Sequence, residues 1–330
     1  MINEKMHLVE NLFDKDSIEK IPTRNGFGEG LVNSGKKNKN VVALCADLTD
    51  STRMAGFQKE FPERFFEMGI TEQNMASVAA GLAVSGKVPF ISSYGVFSPG
   101  RNWDQIRVNV CYNNANVKIA GAHTGISVGP DGATHQALED IAITRCLPNM
   151  TVIAPCDYQE TKKAVEAAAE YEGPVYIRFA REKDPVFTTE KTPFNMGKAN
   201  LLKDGGDVVV MTCGPLTYKA LVAAEELEKE ENISVAVLNI HTIKPIDEAS
   251  VVELAKKTGA VVTVEEHQVM GGFGSTVCEV LSKNSPAPVE MIGMQNSFGE
   301  SGAPDELLDK YKMNEASIKE AVKKVLKRKG

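Results

Sequence analysis

Short apolar runs alternate with helical patterns along almost the whole chain, and this alternation restricts the fold more than any other feature. Val41 to Cys45, Val88 to Ser92, Val117 to Ala120, Thr151 to Ala154 and Pro174 to Phe179 have strand length. They are apolar without a polar alternation, as expected of strands covered on both faces. Helical spacing lies between them, around Asn25 to Ser34, Asn102 to Cys111 and Tyr158 to Ala169. Strands separated by helices imply a parallel sheet with helices on both faces. Ligands on such sheets bind beyond the carboxyl ends of the strands.

From Arg181 to Asn200 the periodicity fails, and Asp184-Pro185, Lys191-Thr192-Pro193 and Gly197 break any helix. A second alternating series follows, with Val208 to Thr212, Val235 to Leu238, Ala260 to Val264 and Val289 to Ile292 as strands and helices such as Pro215 to Glu230 between them. A chain of 330 residues also exceeds what one core usually supports. The expected fold class is therefore α/β with two domains, residues 1 to 187 and 188 to 330, each a mainly parallel sheet flanked by helices. The tail from Asn314 has the pattern of a basic amphipathic helix with one packed stripe.

A net charge of -7 with 37 Lys and Arg gives no electrostatic reason to expect a nucleic-acid partner. No apolar run has the length of a membrane span, and the start, MINEKMHLVENLF, lacks the order of a signal peptide, so a cytoplasmic location is expected. Cys45, Cys111, Cys146, Cys156, Cys213 and Cys278 form no pair spaced as a metal knuckle or redox dithiol. Most are expected to be small buried hydrophobes. Neither a GxGxxG fingerprint nor a GxxxxGK[ST] loop occurs. Gly271-Gly272-Phe273-Gly274 is the nearest lookalike of a phosphate cradle, although a tight turn into a helix needs glycine in any case.

The central stretch is Met68-Gly69-Ile70-Thr71-Glu72-Gln73-Asn74-Met75. Phe65 to Ile70 reads as the end of a buried strand, and Thr71 onward as a helix start with apolar or small residues at Met75, Val78, Ala79, Leu82 and Ala83. Thr71 is placed to cap this helix, and Glu72 in its first turn gains from the positive helix end. Other polar sets also fall at expected strand ends or in loops: Arg24, Asp47 with Ser51, the loop from His123 through Asp131 to His135, and Arg181. A rigid sheet presents function at such positions. Each also has a plainer account: Glu72 as an ordinary first-turn acid, the histidines as structural, the arginines as surface or ion-pair residues, Phe97 as core. The spacing of His123, Asp131 and His135 is irregular for a metal site, and no metal ligand is assigned.

Taken together, Asp47 to Ser51 in ADLTDS, GITEQNM around Glu72, the GPDGATHQ loop, PNMTVIAPCD from Pro148 and FGESGAPDELL from Phe298 resemble the C-terminal half of transketolase. That half comprises the pyrimidine-binding domain of a thiamine-diphosphate enzyme and the transketolase C-terminal domain. The likeness runs from about residue 20 through nearly the whole chain. It implies that the Glu72 carboxylic acid hydrogen-bonds a ring nitrogen of the aminopyrimidine and promotes the tautomer that deprotonates the thiazolium. A buried glutamate suits that task because burial disfavours the charged form. The likeness further implies that Phe97 stacks on the aminopyrimidine, with Tyr94 and Trp103 as competitors, and that Asp47 lies near the thiazolium. Arg24, Ser51, His123 and Arg181 are implied at the substrate phosphate, where guanidinium forks suit phosphate oxygens. Asp131 is implied at a substrate hydroxyl, and His135 as a donor to the carbonyl oxygen as it gains charge. Gln73 stands where full-length transketolases commonly carry histidine.

That family holds the diphosphate and its divalent cation, Mg2+ or Ca2+, through a GDG motif and a downstream asparagine on another domain. This sequence contains no GDG. The resemblance thus implies a split transketolase, in which a partner N-terminal-section subunit supplies the diphosphate and metal site within an α2β2 assembly. Such an enzyme moves a two-carbon ketol unit from a ketose phosphate to an aldose phosphate, and this chain alone is expected to be inactive. Two rivals share the superfamily: the beta subunit of a 2-oxo acid dehydrogenase, which has a turn like Lys244-Pro245-Ile246-Asp247, and half of a deoxyxylulose-phosphate synthase. A third is a regulatory subunit without chemistry. His123, His135 and FGESG favour the sugar-phosphate enzymes, and the joint presence of Glu72, Asp131, His135 and both arginines weighs against a silent subunit.

Overall fold

The computed structural model describes residues 1–329. Two mainly parallel sheets organise the chain, as the alternation predicts. The first has seven strands in the spatial order Thr242–Lys244, Thr151–Ile153, Val175–Phe179, Lys118–Ala122, Val88–Tyr94, Val41–Cys45 and Phe65–Glu67. All neighbours pair in parallel except Thr242–Lys244, which lies antiparallel on Thr151–Ile153 with Thr242 opposite Ile153. Every residue of Val41–Cys45, Lys118–Ala122 and Val175–Phe179 is buried, which is why these runs show no polar alternation.

The second sheet runs Val289–Met294, Val261–Gln268, Val208–Thr212, Val235–Asn239 and Asn200–Lys203. Only the last strand is antiparallel to its neighbour. Helices Thr23–Lys37 and Tyr158–Glu170 cover one face of the first sheet, with Phe27 stacked 4.7 Å from Phe179 beneath them. On the other face, Ile91, Ile119 and Val152 belong to one apolar cluster with Val209, Met211 and Phe273 of the second half, so the two sheets share a core. The chain crosses between the halves more than once. Thr242–Lys244 completes the edge of the first sheet, whereas Leu12 and Ile18 pack among Leu216, Leu221 and Val322. The terminal helix Glu315–Leu326 is capped by Asn314, whose side chain accepts from Ser317 N, and buries Ile318, Val322 and Val325.

Three local expectations need correction. The strand expected over Phe65 to Ile70 ends at Glu67 and sits on the sheet edge, where Phe66 is 40% exposed; it is not a buried strand. Thr71 occupies the cap position of helix Glu72–Val84 but spends its hydroxyl on Met68 O at 2.7 Å instead of capping. The helix expected near Asn102 to Cys111 is a single turn, Trp103–Gln105, followed by a π-helical stretch, Ile106–Tyr112. Such widened turns are rare and concentrate near functional sites. The glycine turn at 271–274 cradles a side chain from its own chain: Phe273 N and Gly274 N donate to the Glu265 carboxyl at 2.6 and 2.8 Å. Among the described residues, no helix is long and apolar enough to cross a membrane.

Candidate active site

The parallel sheet delivers its polar residues to one end. Asp47 and Ser51 follow strand Val41–Cys45, Glu72 follows Phe65–Glu67, Phe97 follows Val88–Tyr94, His123 follows Lys118–Ala122 and Arg181 follows Val175–Phe179. Arg24 joins them from the first turn of helix Thr23–Lys37. Every strand involved is parallel, so all these carboxyl ends open on the same side of the sheet.

Glu72 is 2% exposed at the first helical position. Its Oε2 accepts from Arg101 Nη1 at 2.8 Å, Ser93 Oγ lies 3.5 Å from its Oε1, and Asn102 Nδ2 donates to its backbone carbonyl at 3.1 Å. Arg101 also lays its guanidinium over the Phe97 ring, 4.6 Å from the centroid. The sequence suggests a lone buried carboxyl; the structure has an ion pair, and Arg101 carries no signal in the sequence because its partner is 29 residues away. This geometry tests the pocket for an aminopyrimidine. A planar cation already sits there with its edge on the carboxylate and its face on an aromatic ring, so the residues fit a flat nitrogen heterocycle that shares a proton with Glu72.

An aromatic ladder continues from Phe97. Tyr94 stacks near-parallel to it at 6.1 Å and on His123 at 4.2 Å, while His135 meets Phe97 edge-on at 5.5 Å. Tyr94, one of the stacking competitors, is thus the ring that links the pyrimidine-type pocket to His123. Trp103 stands apart in role: its indole N–H donates to Ile143 O at 2.6 Å, and its ring packs against the apolar cluster holding Met75 and Ile106. Asp47 is exposed with a left-handed φ of 57°, held by its own N–H on Glu67 Oε1 at 2.7 Å. Glu67 also accepts from Thr49 Oγ1 at 2.9 Å and Gly69 N at 3.0 Å, so one edge-strand carboxylate ties the Asp47 loop to the approach of Glu72.

At the other end of the ladder lies a basic pocket. Arg24 Nη1 donates to Ser51 O at 3.2 Å and lies 3.3 Å from His123 Nε2. His123 is buried with φ 54°, and burial together with Arg24 and Arg181 pushes its pKa down to about 3, so the ring is neutral and free to accept or donate one hydrogen bond. Its Nδ1 has no partner among the described residues. Arg181 Nη1 donates to Asp131 Oδ2 and to Val128 O, both at 3.2 Å. His135 Nδ1 pairs with Thr134 Oγ1 at 2.9 Å. Among the described residues no cluster of three or more His, Cys, Asp or Glu could hold a metal ion.

The second half of the chain braces this site. The loop from His123 to His135 is pinned by Glu266, whose carboxylate accepts from Ser127 N at 2.6 Å, and by Gln136, whose amide donates to Glu300 O at 2.9 Å. Gly125, at φ 90°, lies so close to Glu266 that any Cβ there would overlap the carboxylate. The strand expected over Ala260 to Val264 runs on to Gln268, and its Glu265, Glu266 and His267 are all buried.

Two family models match the chain: the transketolase pyrimidine binding domain over residues 19–185 and the transketolase C-terminal domain over residues 197–318. A protein of Methanocaldococcus jannaschii described as a transketolase C-terminal section is 47% identical over 309 residues, covering 92% of this chain and 96% of its own. A 6-deoxy-6-sulfo-D-fructose transketolase subunit of a Clostridium species is 40% identical, covering 93% of this chain and 95% of its own. Among solved structures, a split-gene transketolase described as an inactive beta4 tetramer superposes with a TM-score of 0.86 at 46% identity, over 94% of this chain and 99% of that one. With both domain models matched in order and relatives of the same length, the chain belongs to the transketolase family.

Proposed function

We propose that this chain is the pyrimidine-binding half of a split transketolase, which with a partner subunit moves a two-carbon ketol unit from a ketose phosphate to an aldose phosphate. The observation that carries the proposal is the path from Glu72 and Phe97, bridged by Arg101, through Tyr94 to His123 and Arg24 on one sheet end, with Arg181 lining the same cavity as Arg24. A pyrimidine-type pocket and an anion pocket are thereby joined by the rings that lie between them. Relatives of matching length that are themselves sections or subunits support a partner carrying the diphosphate and the Mg2+ or Ca2+ site, in an α2β2 assembly.

Thiamine diphosphate, when bound, supplies the electron sink that carbon–carbon cleavage and formation require. With the cofactor bound, Glu72 would share a proton with a ring nitrogen, Phe97 and Tyr94 would supply the rings for the heterocycle to stack on, and Asp47 would serve the thiazolium side. Arg24, Ser51, His123 and Arg181 anchor the sugar phosphate, which converts a bimolecular encounter into a positioned one. Asp131 orients a hydroxyl near the reacting carbon, and His135 donates to the carbonyl oxygen as charge develops there.

The test is reconstitution with the partner chain and a coupled assay using xylulose 5-phosphate and ribose 5-phosphate, set against pyruvate. Turnover of the sugar phosphates by the pair, and by neither chain alone, is expected. Pyruvate consumption without ketol transfer would move the chain to the 2-oxo acid or deoxyxylulose-phosphate branch. Tight cofactor binding and ketol transfer by the unaccompanied chain would overturn the half-site proposal.

A further inference from the structure

The resemblance assigns two guanidiniums, Arg24 and Arg181, to the substrate's anionic end, yet the structure places a third beside them. Arg53 lines the same cavity of about 680 Å³ as Arg24 and Arg181. Its backbone is left-handed, with φ 65°, a conformation uncommon for a non-glycine residue. Helix Thr23–Lys37 closes onto this turn only because residue 28 is glycine: a Cβ there would stand 2.7 Å from Arg53 O and 2.8 Å from Arg53 Cβ. The side chain is steered as well, since Arg53 Nε donates to Asn25 Oδ1 at 2.9 Å, which leaves the terminal nitrogens available.

Charges of both signs line the cavity, Glu182, Asp184, Asp305 and Glu315 among them, but its arginines are unevenly partnered. Arg181 has its own counter-charges, Asp131 at 3.2 Å and Glu182 at 3.6 Å. Arg24 and Arg53 form no ion pair among the described residues; their polar contacts are Ser51 O, His123 and Asn25. The Arg24 charge is disfavoured first by burial and then by Arg53 and Arg181, a repulsion that an entering anion relieves. Two guanidiniums without carboxylate partners are suited to a group that carries up to two charges over several oxygens. A phosphate monoester carries about -1.5 to -2 near neutral pH, whereas a sulfonate carries a single charge.

We infer that Arg53 is a third anion-binding residue of this site and sets it for dianionic phosphate esters over monoanionic sulfonates. The inference rests on the proposed function for the identity of the sugar, but not for the identity of the anion. Titration calorimetry of the full chain with methyl phosphate and with methanesulfonate therefore tests it without turnover. Wild type binds methyl phosphate more tightly. Arg53→Gln weakens methyl phosphate about tenfold, the scale of one charge-assisted hydrogen-bond pair, and methanesulfonate markedly less. Arg53→Lys, which keeps the charge and loses the fork, falls between. In the reconstituted complex, Arg53→Gln raises KM for the ketose phosphate severalfold more than it raises KM for the unphosphorylated ketose. Equal losses for both anions, or an unchanged methyl phosphate affinity in a variant with wild-type circular dichroism, overturn the inference. If the wild-type complex turns over no ketose, the transketolase proposal fails while the anion titration still decides Arg53.

Discussion

Arg101 donates to the Glu72 carboxylate at 2.8 Å while its guanidinium lies 4.6 Å from the centre of the Phe97 ring. On the proposed function an aminopyrimidine takes up the same two kinds of contact, edge to carboxylate and face to ring, so Arg101 competes with the cofactor for Glu72 and Phe97. Its side chain is 46% exposed, so water is available to it once displaced. Arg101→Ala removes the competitor and leaves Glu72 buried without its charged partner, a cost that an incoming ring nitrogen relieves. Thiamine diphosphate is expected to bind the reconstituted complex roughly tenfold more tightly in this variant, from the lost cation–π and hydrogen-bond competition. Weaker binding, measured by calorimetry or Trp103 fluorescence, would instead make Arg101 a residue that grips the cofactor.

Glu72→Gln keeps the shape of the side chain and removes its ability to exchange a proton with a ring nitrogen. General acid–base assistance is worth about a hundredfold to ten-thousandfold, and a loss of kcat in that range is expected with the complex still assembled. Turnover near wild type in the coupled assay would end the catalytic role of this residue.

Much of the fold is legible because the burial is uniform. Val208–Thr212 and Val41–Cys45 end where their apolar runs end, since each residue is covered on both faces. Legibility fails at edges. Phe65–Glu67 carries an exposed aromatic, which no local pattern separates from a buried one, and Thr242–Lys244 pairs with a strand from the other half of the chain. The site divides in the same way. Glu72, Asp47, His123 and Arg181 stand just beyond apolar runs, so their clustering follows from a parallel sheet. Arg101 and Glu266 act on partners 29 and 139 residues away, and sequence spacing carries no trace of either contact.

His241 gives the fold a pH dependence of predictable sign. It is fully buried between Phe194, stacked at 4.3 Å, and Thr242 Oγ1 at 2.9 Å from Nδ1, with Nε2 unpartnered. Burial pushes its pKa from 6.5 down to about 4. The unfolded chain therefore takes up a proton that the folded chain refuses. The stability is fully present above pH 6.5 and is lost as the pH falls toward 4, at up to about 1.4 kcal/mol per pH unit. His241→Phe retains the stack and removes the titration. The stability of wild type relative to this variant, from urea unfolding, should fall across that window; a difference that stays flat with pH would show that His241 is not the group responsible.

The loop bearing His123, Asp131 and His135 belongs to the first half of the chain, yet its placement depends on a side chain of the second. Glu266 accepts from Ser127 N at 2.6 Å, and Arg178 Nη2, itself paired with the buried Asp140, donates to the Glu266 backbone carbonyl at 3.1 Å. Gly125 is required on two counts, a left-handed φ of 90° and contact with the Glu266 carboxylate. Gly125→Ala must therefore either strain the turn or displace Glu266, and is expected to cost about 1 to 3 kcal/mol in denaturant unfolding. Glu266→Ala leaves Ser127 N buried without an acceptor, at a similar cost of about 1 to 3 kcal/mol. If the second half acts on the site through this contact, Glu266→Ala also raises KM for the ketose phosphate in the reconstituted complex, because the loop that carries His123 and bonds Arg181 loses its anchor. Glu72 and Arg101 lie outside this contact, so thiamine diphosphate affinity should stay at wild type. Should Glu266→Ala alter stability alone, with KM unmoved, the second half is a buttress for the fold and has no hold on the substrate end.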